Sequence, residues 1–152
     1  MKCPFCGSED LKVNDTRTRG NIIRRKRQCL SCQNTFFSIE MIDLSEIMVQ
    51  KRKGNIEAFD RSKILTGLKR AFNKIDITQD DIIKILDNIE MEIYRKKTNV
   101  IASEDVGEIV LKYLKVVNDI AYIRFLSVYR GFKNLEEFYL EIAKLREERK
   151  RS

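Results

Sequence analysis

The stretches Cys3-Pro4-Phe5-Cys6 and Cys29-Leu30-Ser31-Cys32 decide how the first part of this chain folds. They contain all four cysteines of the 152 residues, and 22 residues separate the two pairs. Two C-x2-C pairs at about this spacing are typical of a tetrahedral four-cysteine zinc site. Because the chain has no histidine, every ligand must be a thiolate. We therefore expect one structural Zn²⁺, with no open position for catalysis, bound by Cys3, Cys6, Cys29 and Cys32.

Two other interpretations of the cysteines are less favoured. Disulfides suit small secreted domains, but only Met1 and Lys2 precede Cys3, which leaves no space for a signal peptide. A redox C-x-x-C motif needs one pair beside a βαβ pattern, and this chain has two pairs beside short polar strands. We expect a reduced protein located in the cytoplasm and associated with the nucleoid.

Cations crowd the segment between the two cysteine pairs. Three short strands are predicted there and just beyond, at 11–17, 22–28 and 35–39. Residues 17–27 contain no acid and six cations, which are Arg17, Arg19, Arg24, Arg25, Lys26 and Arg27. Lysine often serves only to keep an edge strand soluble, whereas the planar fork of arginine suits phosphate or a guanine edge. We expect these six residues to bind double-stranded DNA, and the alternation of a strand leaves open which face does so.

The rest of the chain predicts a second, mainly helical domain. Apolar periodicity indicates five helices that begin near Asp60, Thr78, Ser103, Asp119 and Asn134, and four of these residues, all but Asp119, are predicted caps. A short β-hairpin, 47–52 and 56–59, precedes them around Lys53-Gly54-Asn55. The expected fold is α+β: a zinc ribbon of three short strands at 1–46, a helical domain with a hairpin at 47–137, and a C-terminal helix and basic tail at 138–152.

Composition and missing motifs exclude several function classes. The formal charge of +7 favours an anionic partner, and no stretch approaches the 18 or so apolar residues of a membrane-spanning helix. Neither a P-loop nor a G-x-G-x-x-G motif occurs, and without histidine or an acid cluster hydrolysis is not expected. Lys63 stands in the first turn of a predicted helix, where a cation is unfavourable unless an anion binds there. Physics alone leaves a bound phosphate and a solvated surface equally favoured.

Several stretches resemble a known family. Val49-Gln50-Lys51-Arg52-Lys53-Gly54, followed by Ile56-Glu57-Ala58-Phe59-Asp60-Arg61-Ser62-Lys63-Ile64, resembles the opening of an ATP-cone, a nucleotide-sensing regulatory domain. Further matching stretches are the first cysteine pair, Val13-Asn14-Asp15-Thr16-Arg17, Arg24-Arg25-Lys26-Arg27-Gln28-Cys29 and the long stretch 117–130. With all of these stretches, the chain is similar to the NrdR family of bacterial repressors over almost its whole length.

This resemblance implies a repressor of ribonucleotide reductase genes that binds paired operator boxes through its ribbon and senses ATP and dATP through its cone. Nucleotide binding would change a homo-oligomer, and the oligomer would set DNA affinity. By position, phosphates would contact Lys51, Arg52 and Lys63; the base would lie between Val49, Ile64 and Leu65; and Glu57 would lie near the sugar or base. Weaker candidates for ligand or subunit contacts are Tyr122, Arg124 and Tyr129.

Two other functions remain to be separated from a repressor. The ribbon could be an interaction module that docks on RNA polymerase or a reductase subunit, with its basic strand contacting acidic side chains of that protein. The helical domain could hydrolyse ATP, although we expect no turnover. Loss of DNA binding or of a protein partner on removing Arg25 and Arg27, and a phosphate-release assay, distinguish these alternatives.

Overall fold

The chain folds into two compact units with mixed α and β structure, which confirms the expected fold class. The computed structural model describes residues 1–44 and 46–151, and the units are Met1–Asp43 and Leu44–Ser152. No helix of these described residues is both long enough and apolar enough to cross a membrane.

The first unit is an antiparallel sheet of three strands in the order β1-β2-β3. These strands are β1 (Leu11–Arg19), β2 (Ile22–Cys29) and β3 (Thr35–Glu40). Gly20, at a φ of 56°, allows the tight turn between β1 and β2. The register of β1 shifts between Val13 and Asp15, which indicates a bulge. All three predicted strands are present, each one or two residues longer than expected.

The first unit buries very little apolar surface. Among its described residues, only Cys3 and Cys29 are buried, at 3% and 0% exposure. Nearly all of β1 is exposed. A unit of this size without an apolar core needs a metal or disulfides to fold, and its thiols are free.

The second unit combines a small sheet with five helices. Its elements are β4 (Met48–Gln50), β5 (Ile56–Ala58), α1 (Arg61–Ala71), α2 (Gln79–Arg95), β6 (Val100–Ala102), α3 (Ser103–Val117), α4 (Asp119–Arg130) and α5 (Leu135–Arg151). The sheet order is β5-β4-β6. The predicted hairpin is β4 and β5, shortened to three residues each. β6 was not predicted, because its three residues directly precede a helix and pair in parallel with β4 across a long sequence separation.

Helix caps follow the sequence signals with one exception. Asp60 and Thr78 accept hydrogen bonds from the first turns of α1 and α2, as predicted, and Asn134 accepts from the N–H of Glu137. The prediction that Ser103 caps α3 was wrong, since the helix already includes Ser103 and its cap position, Ala102, has no side-chain hydrogen bond. The cap before Asp119 is Asn118, whose side chain accepts from two backbone N–H groups.

Four helices share one apolar core. Its fully buried side chains come from α1, α2, α3 and α4 and include Leu68, Leu86, Ile89, Leu114 and Leu126. Burying such a side chain contributes about 1.5–3 kcal/mol relative to leaving it in water. The fifth helix contributes one buried residue, Leu145. Three large apolar residues near its start, Leu135, Tyr139 and Leu140, are exposed instead.

Candidate functional site

The two cysteine pairs adopt the same local structure. After each pair the backbone turns through a left-handed residue, Gly7 at φ 77° and Gln33 at φ 61°. The N–H of each donates to the carbonyl of the first cysteine of its pair, both at 2.9 Å. Glutamine at such a φ costs free energy, and the Gln33 amide offsets it by donating to the carbonyl of Leu30 at 2.7 Å. The sequence therefore forms two equivalent knuckles.

The knuckles bring four thiols to one point. All four Sγ atoms lie within 4.8 Å of one another, and the Cys3–Cys32 and Cys6–Cys29 pairs are 3.6 Å apart. This is far longer than a disulfide, which is about 2.05 Å. A regular tetrahedron with Zn–S distances of about 2.3 Å has sulfur–sulfur distances of about 3.8 Å. The four cysteines fit a single zinc ion, which would supply the missing structural centre of the unit.

Backbone N–H groups favour the thiolate form of two of the cysteines. The N–H of Cys32 donates to the Sγ of Cys29 at 3.5 Å and lowers the pKa of that thiol to about 6. The N–H of Ser8 favours the thiolate of Cys6, but hydrogen bonds with the neighbouring thiols and burial outweigh it and raise the pKa of Cys6 to about 12. Four thiolates this close repel one another unless a cation lies between them.

The sheet of the first unit divides its cations between two faces. Arg24 pairs across the sheet with Arg17, and Lys26 pairs with Asp15 and Phe37. We call the face that carries Arg17, Arg19, Arg24, Lys26 and Phe37 the open face. Arg24 and Lys26 are exposed, and the guanidinium of Arg24 lies 3.8 Å above the ring of Phe37, which is itself 54% exposed.

The opposite face of the sheet carries Arg25 and Arg27, and we call it the paired face. Arg25 forms an ion pair with Glu40, and Arg27 donates to the hydroxyl of Ser38 at 2.8 Å. Both arginines are only half-exposed. The six predicted DNA-binding cations therefore split into four on the open face and two on the paired face.

In the second unit, most of the predicted nucleotide-binding residues line one cavity of about 290 Å³. The cavity lies where β4, β5 and the start of α1 meet α3 and α4. Six of the seven residues predicted for this site contribute to its wall: Val49, Lys51, Arg52, Glu57, Lys63 and Ile64. Tyr129, a weaker candidate, also lines it. Helix α3 adds Ser103, Val106 and Gly107, which the sequence prediction missed.

The cations of this cavity are held by carboxylates. One oxygen of Glu57 accepts from Lys63 at 2.7 Å and from Lys51 at 3.0 Å. Lys63, followed by Lys51, lowers the pKa of Glu57, and Glu57 raises the pKa of Lys63. Arg52 pairs with Glu104 at 2.8 Å. These carboxylates hold the three cations at the wall of the cavity. An anionic ligand that enters the cavity would replace the carboxylates as the partner of the cations.

Tyr129 forms one wall of the cavity through close contact with Gly107. A Cβ atom added to Gly107 would lie 2.0 Å from the tyrosine ring. The ring stacks on Phe125 at 6.0 Å, and its hydroxyl donates to the carbonyl of Glu104 at 2.7 Å. Burial raises the pKa of Tyr129, so that the hydroxyl stays protonated as a donor. An isolated glycine within a helical pattern is the signal that could have revealed this contact.

Three predicted residues lie outside the cavity wall. Leu65 is half-buried and packs against the core, and Tyr122 is buried in it. Arg124 donates to the carbonyls of Ala71 and Asn73, where α1 ends. Its guanidinium therefore satisfies carbonyl groups that the end of a helix leaves free.

Two known domain families match this chain. Residues 1–40 match the Transcriptional repressor NrdR-like, N-terminal domain, and residues 47–135 match the ATP cone domain. The chain is 45% identical over 147 residues to the Transcriptional repressor NrdR of Caldicellulosiruptor bescii, covering 95% of this chain and 96% of the relative. It is 43% identical over 150 residues to that of Fervidobacterium nodosum, covering 97% and 98%.

This chain belongs to the NrdR family of transcriptional repressors. The resemblance seen in the sequence is confirmed, and so is the combination of a zinc ribbon with an ATP-cone. The NrdR relatives are named as repressors, which confirms the expectation of a regulator rather than an enzyme.

Removal of zinc is expected to unfold the first unit and leave the second intact, because only the first depends on the thiols. Amide NMR signals of residues 11–40 should collapse to random-coil positions on chelation, while the urea midpoint of the helical circular dichroism stays constant. Cys32→Ser should have the same effect, and its neighbour variant Ser31→Ala should not. A ribbon spectrum that survives chelation would contradict this account.

Proposed function

We propose that this protein is a nucleotide-sensing repressor that binds operator DNA upstream of ribonucleotide reductase genes. ATP and dATP bind its cone and control a homo-oligomer, and the oligomer controls DNA affinity. The observation that carries the proposal is the convergence of Lys51, Arg52 and Lys63 on one cavity, in a chain whose other unit is a cationic sheet. Residues 1–46 bind DNA, 47–137 bind nucleotide, and 138–152 form a helical end and basic tail. The protein acts in the cytoplasm, on the nucleoid.

The nucleotide phosphates bind where α1 begins. Lys63 is the third residue of that helix, and the first turn contains no acid. Asp60 caps the N–H of Ser62, and the positive end of the helix dipole favours a further anion at this position. Phosphate oxygens take over Lys51 and Lys63 from Glu57, and Glu57 then becomes free to accept from the sugar or base. The base lies against Val49 and Ile64, and Leu65 supports this wall from the core.

Double-stranded DNA binds to the open face of the ribbon. Arg17 on this face pairs with Asp15 at 3.0 Å, but Arg24 and Lys26 have no carboxylate partner among the contacts described, whereas Arg25 on the paired face is held by Glu40. An arginine released from an ion pair loses that interaction before it gains a phosphate, so the paired face binds DNA less favourably. The exposed ring of Phe37 adds an apolar contact that suits a sugar or a thymine methyl group.

Paired substitutions on β2 test the DNA interface. Arg24→Ala with Lys26→Ala should weaken binding of a promoter duplex by about tenfold or more at physiological salt and reduce the salt slope by about 2. For the unmodified protein, contact with five or six phosphates predicts a slope of about −5.

The matched control is Arg25→Ala with Arg27→Ala, which removes the same charge from the same strand and should change DNA affinity less. Fluorescence anisotropy from 50 to 300 mM salt measures all three proteins. A larger loss in the control would place DNA on the paired face. A slope near zero for the unmodified protein would rule out DNA binding by this ribbon.

The full proposal requires that nucleotide changes both oligomer size and operator affinity. Light scattering after size exclusion and gel shifts of a promoter duplex should each differ among ATP, dATP and no nucleotide. Gly107→Ala should weaken dATP binding by about tenfold, or about 1.4 kcal/mol, because Tyr129 has to leave the cavity wall.

The control for this variant is Glu108→Ala, which changes an exposed residue next to Gly107 on the same helix but outside the cavity wall. Within a helix, alanine in place of glycine otherwise stabilises the fold by about 0.5–1 kcal/mol. If Gly107→Ala were stabilised and bound dATP normally, the assigned cavity would be wrong. If mass and operator affinity were both indifferent to nucleotide, the proposed function would be abandoned.

A further inference from the structure

A second concavity lies on the other side of the Phe125–Tyr129 wall. It runs between α1 and α4 and has a volume of about 670 Å³. Helix α1 contributes Gly67 and Arg70, the following turn contributes Lys74, and α4 contributes Val128. We call it the α1–α4 groove. It shares Phe125 and Tyr129 with the nucleotide cavity, so a ligand that moves Tyr129 reshapes both.

The groove combines apolar surface with a cationic rim. Val128 is 85% exposed, the highest value among the large apolar residues of the described chain. Arg124 fixes one side of the rim through its bonds to the carbonyls at the end of α1. In the described part of the chain, no hydrogen bond or ion pair is recorded for the side chains of Arg70 and Lys74, both of which line the groove. The groove therefore fits a segment that offers apolar side chains and a carboxylate.

The start of α5 has the complementary composition. Leu135, Tyr139 and Leu140 are 75%, 66% and 58% exposed, and the first turn carries Glu136 and Glu137. Acids are favourable at any helix start, but this preference does not account for three large exposed apolar residues. We call residues 135–140 the α5 start. Glu136 is exposed, and a carboxylate in this position is available to a cation on another surface.

Among the described residues, those of the α5 start do not line the groove of their own chain. Arg130 near the end of α4 pairs with Glu141 at 3.0 Å, and Arg149 pairs with Asp119 at the beginning of α4 at 2.7 Å. Both ends of α4 are thus tied to α5, and α5 runs antiparallel to it. The exposed apolar side chains of the α5 start are therefore available to another surface.

We infer that the α5 start of one copy docks into the α1–α4 groove of a second copy. Leu135, Tyr139 and Leu140 cover the apolar floor of the groove, and Glu136 meets Arg70 and Lys74. Complementary charge favours this pairing and disfavours groove-to-groove contact. The inference rests on the proposed function, because it supplies the contact through which nucleotide controls the oligomer. Tyr129, which lines both concavities, connects the nucleotide to this contact.

Charge exchange tests the contact in the full-length, zinc-loaded protein. Arg70→Glu and Glu136→Arg should each weaken self-association by about tenfold, measured by sedimentation velocity under the nucleotide condition that gives the unmodified protein its largest mass. An equimolar mixture of the two variants should recover association, because the acidic groove of one meets the basic α5 start of the other. Lys69→Glu, an equal charge change on the same helix outside the groove, should leave association unchanged.

Several results would overturn the inference. The first is that Arg70→Glu associates as strongly as Lys69→Glu, and the second is that the mixture does not recover association. The third is that Arg70→Glu binds less dATP per chain while its mass stays unchanged. The last result would mean that the groove holds an anion and not a second chain. In each case the unmodified protein still self-associates when nucleotide is present, so the proposed function stands. An unmodified protein that stays monomeric with ATP, with dATP and without nucleotide would refute both.

Discussion

The first unit depends on four sulfur atoms. Its described residues bury only Cys3 and Cys29, so it lacks the apolar core that would offset the entropy of ordering some 40 residues. Zinc supplies this missing free energy, about 10–16 kcal/mol in comparable peptides. The two knuckles bring the thiols to distances that match zinc–sulfur geometry, and the strands attached to the knuckles hold the cations. Metal binding therefore holds the strands that form the cationic surface.

The second unit has a cluster of cations whose charge is balanced by carboxylates. Three cations converge at the start of α1, and the carboxylates of Glu57 and Glu104 hold them. Such a cluster keeps its cations in place, and we propose that phosphate replaces the carboxylates when a nucleotide binds. Tyr129, packed on Gly107, separates this cavity from the α1–α4 groove. A single side chain thus borders both the surface where a nucleotide is proposed to bind and the surface where a second copy is proposed to dock.

Local patterns in the sequence predicted the zinc ligands, the three strands and five helices, because each follows from spacing or from a motif within a short stretch. The resemblance to the ATP-cone supplied half of the residues that line the cavity. What they missed depends on distant parts of the chain. β6 exists because β4 lies beside it, and Gly107 matters because Tyr129 packs on it. Arg124 is occupied by the carbonyls that end α1. The two faces of β2 were equivalent in the sequence, and only the partners on β1 and β3, Glu40 and Ser38 among them, distinguish one face from the other.

The central claim is that nucleotide in the cone sets the DNA affinity of the ribbon, and thermodynamic linkage tests it most directly. Calorimetry measures the dATP affinity of the zinc-loaded protein with and without a saturating promoter duplex, and anisotropy measures duplex affinity with and without dATP. The account predicts that the two affinities change by the same factor, which differs from one. If both ligands bind and neither changes the affinity of the other, the two units act independently and the claim is wrong.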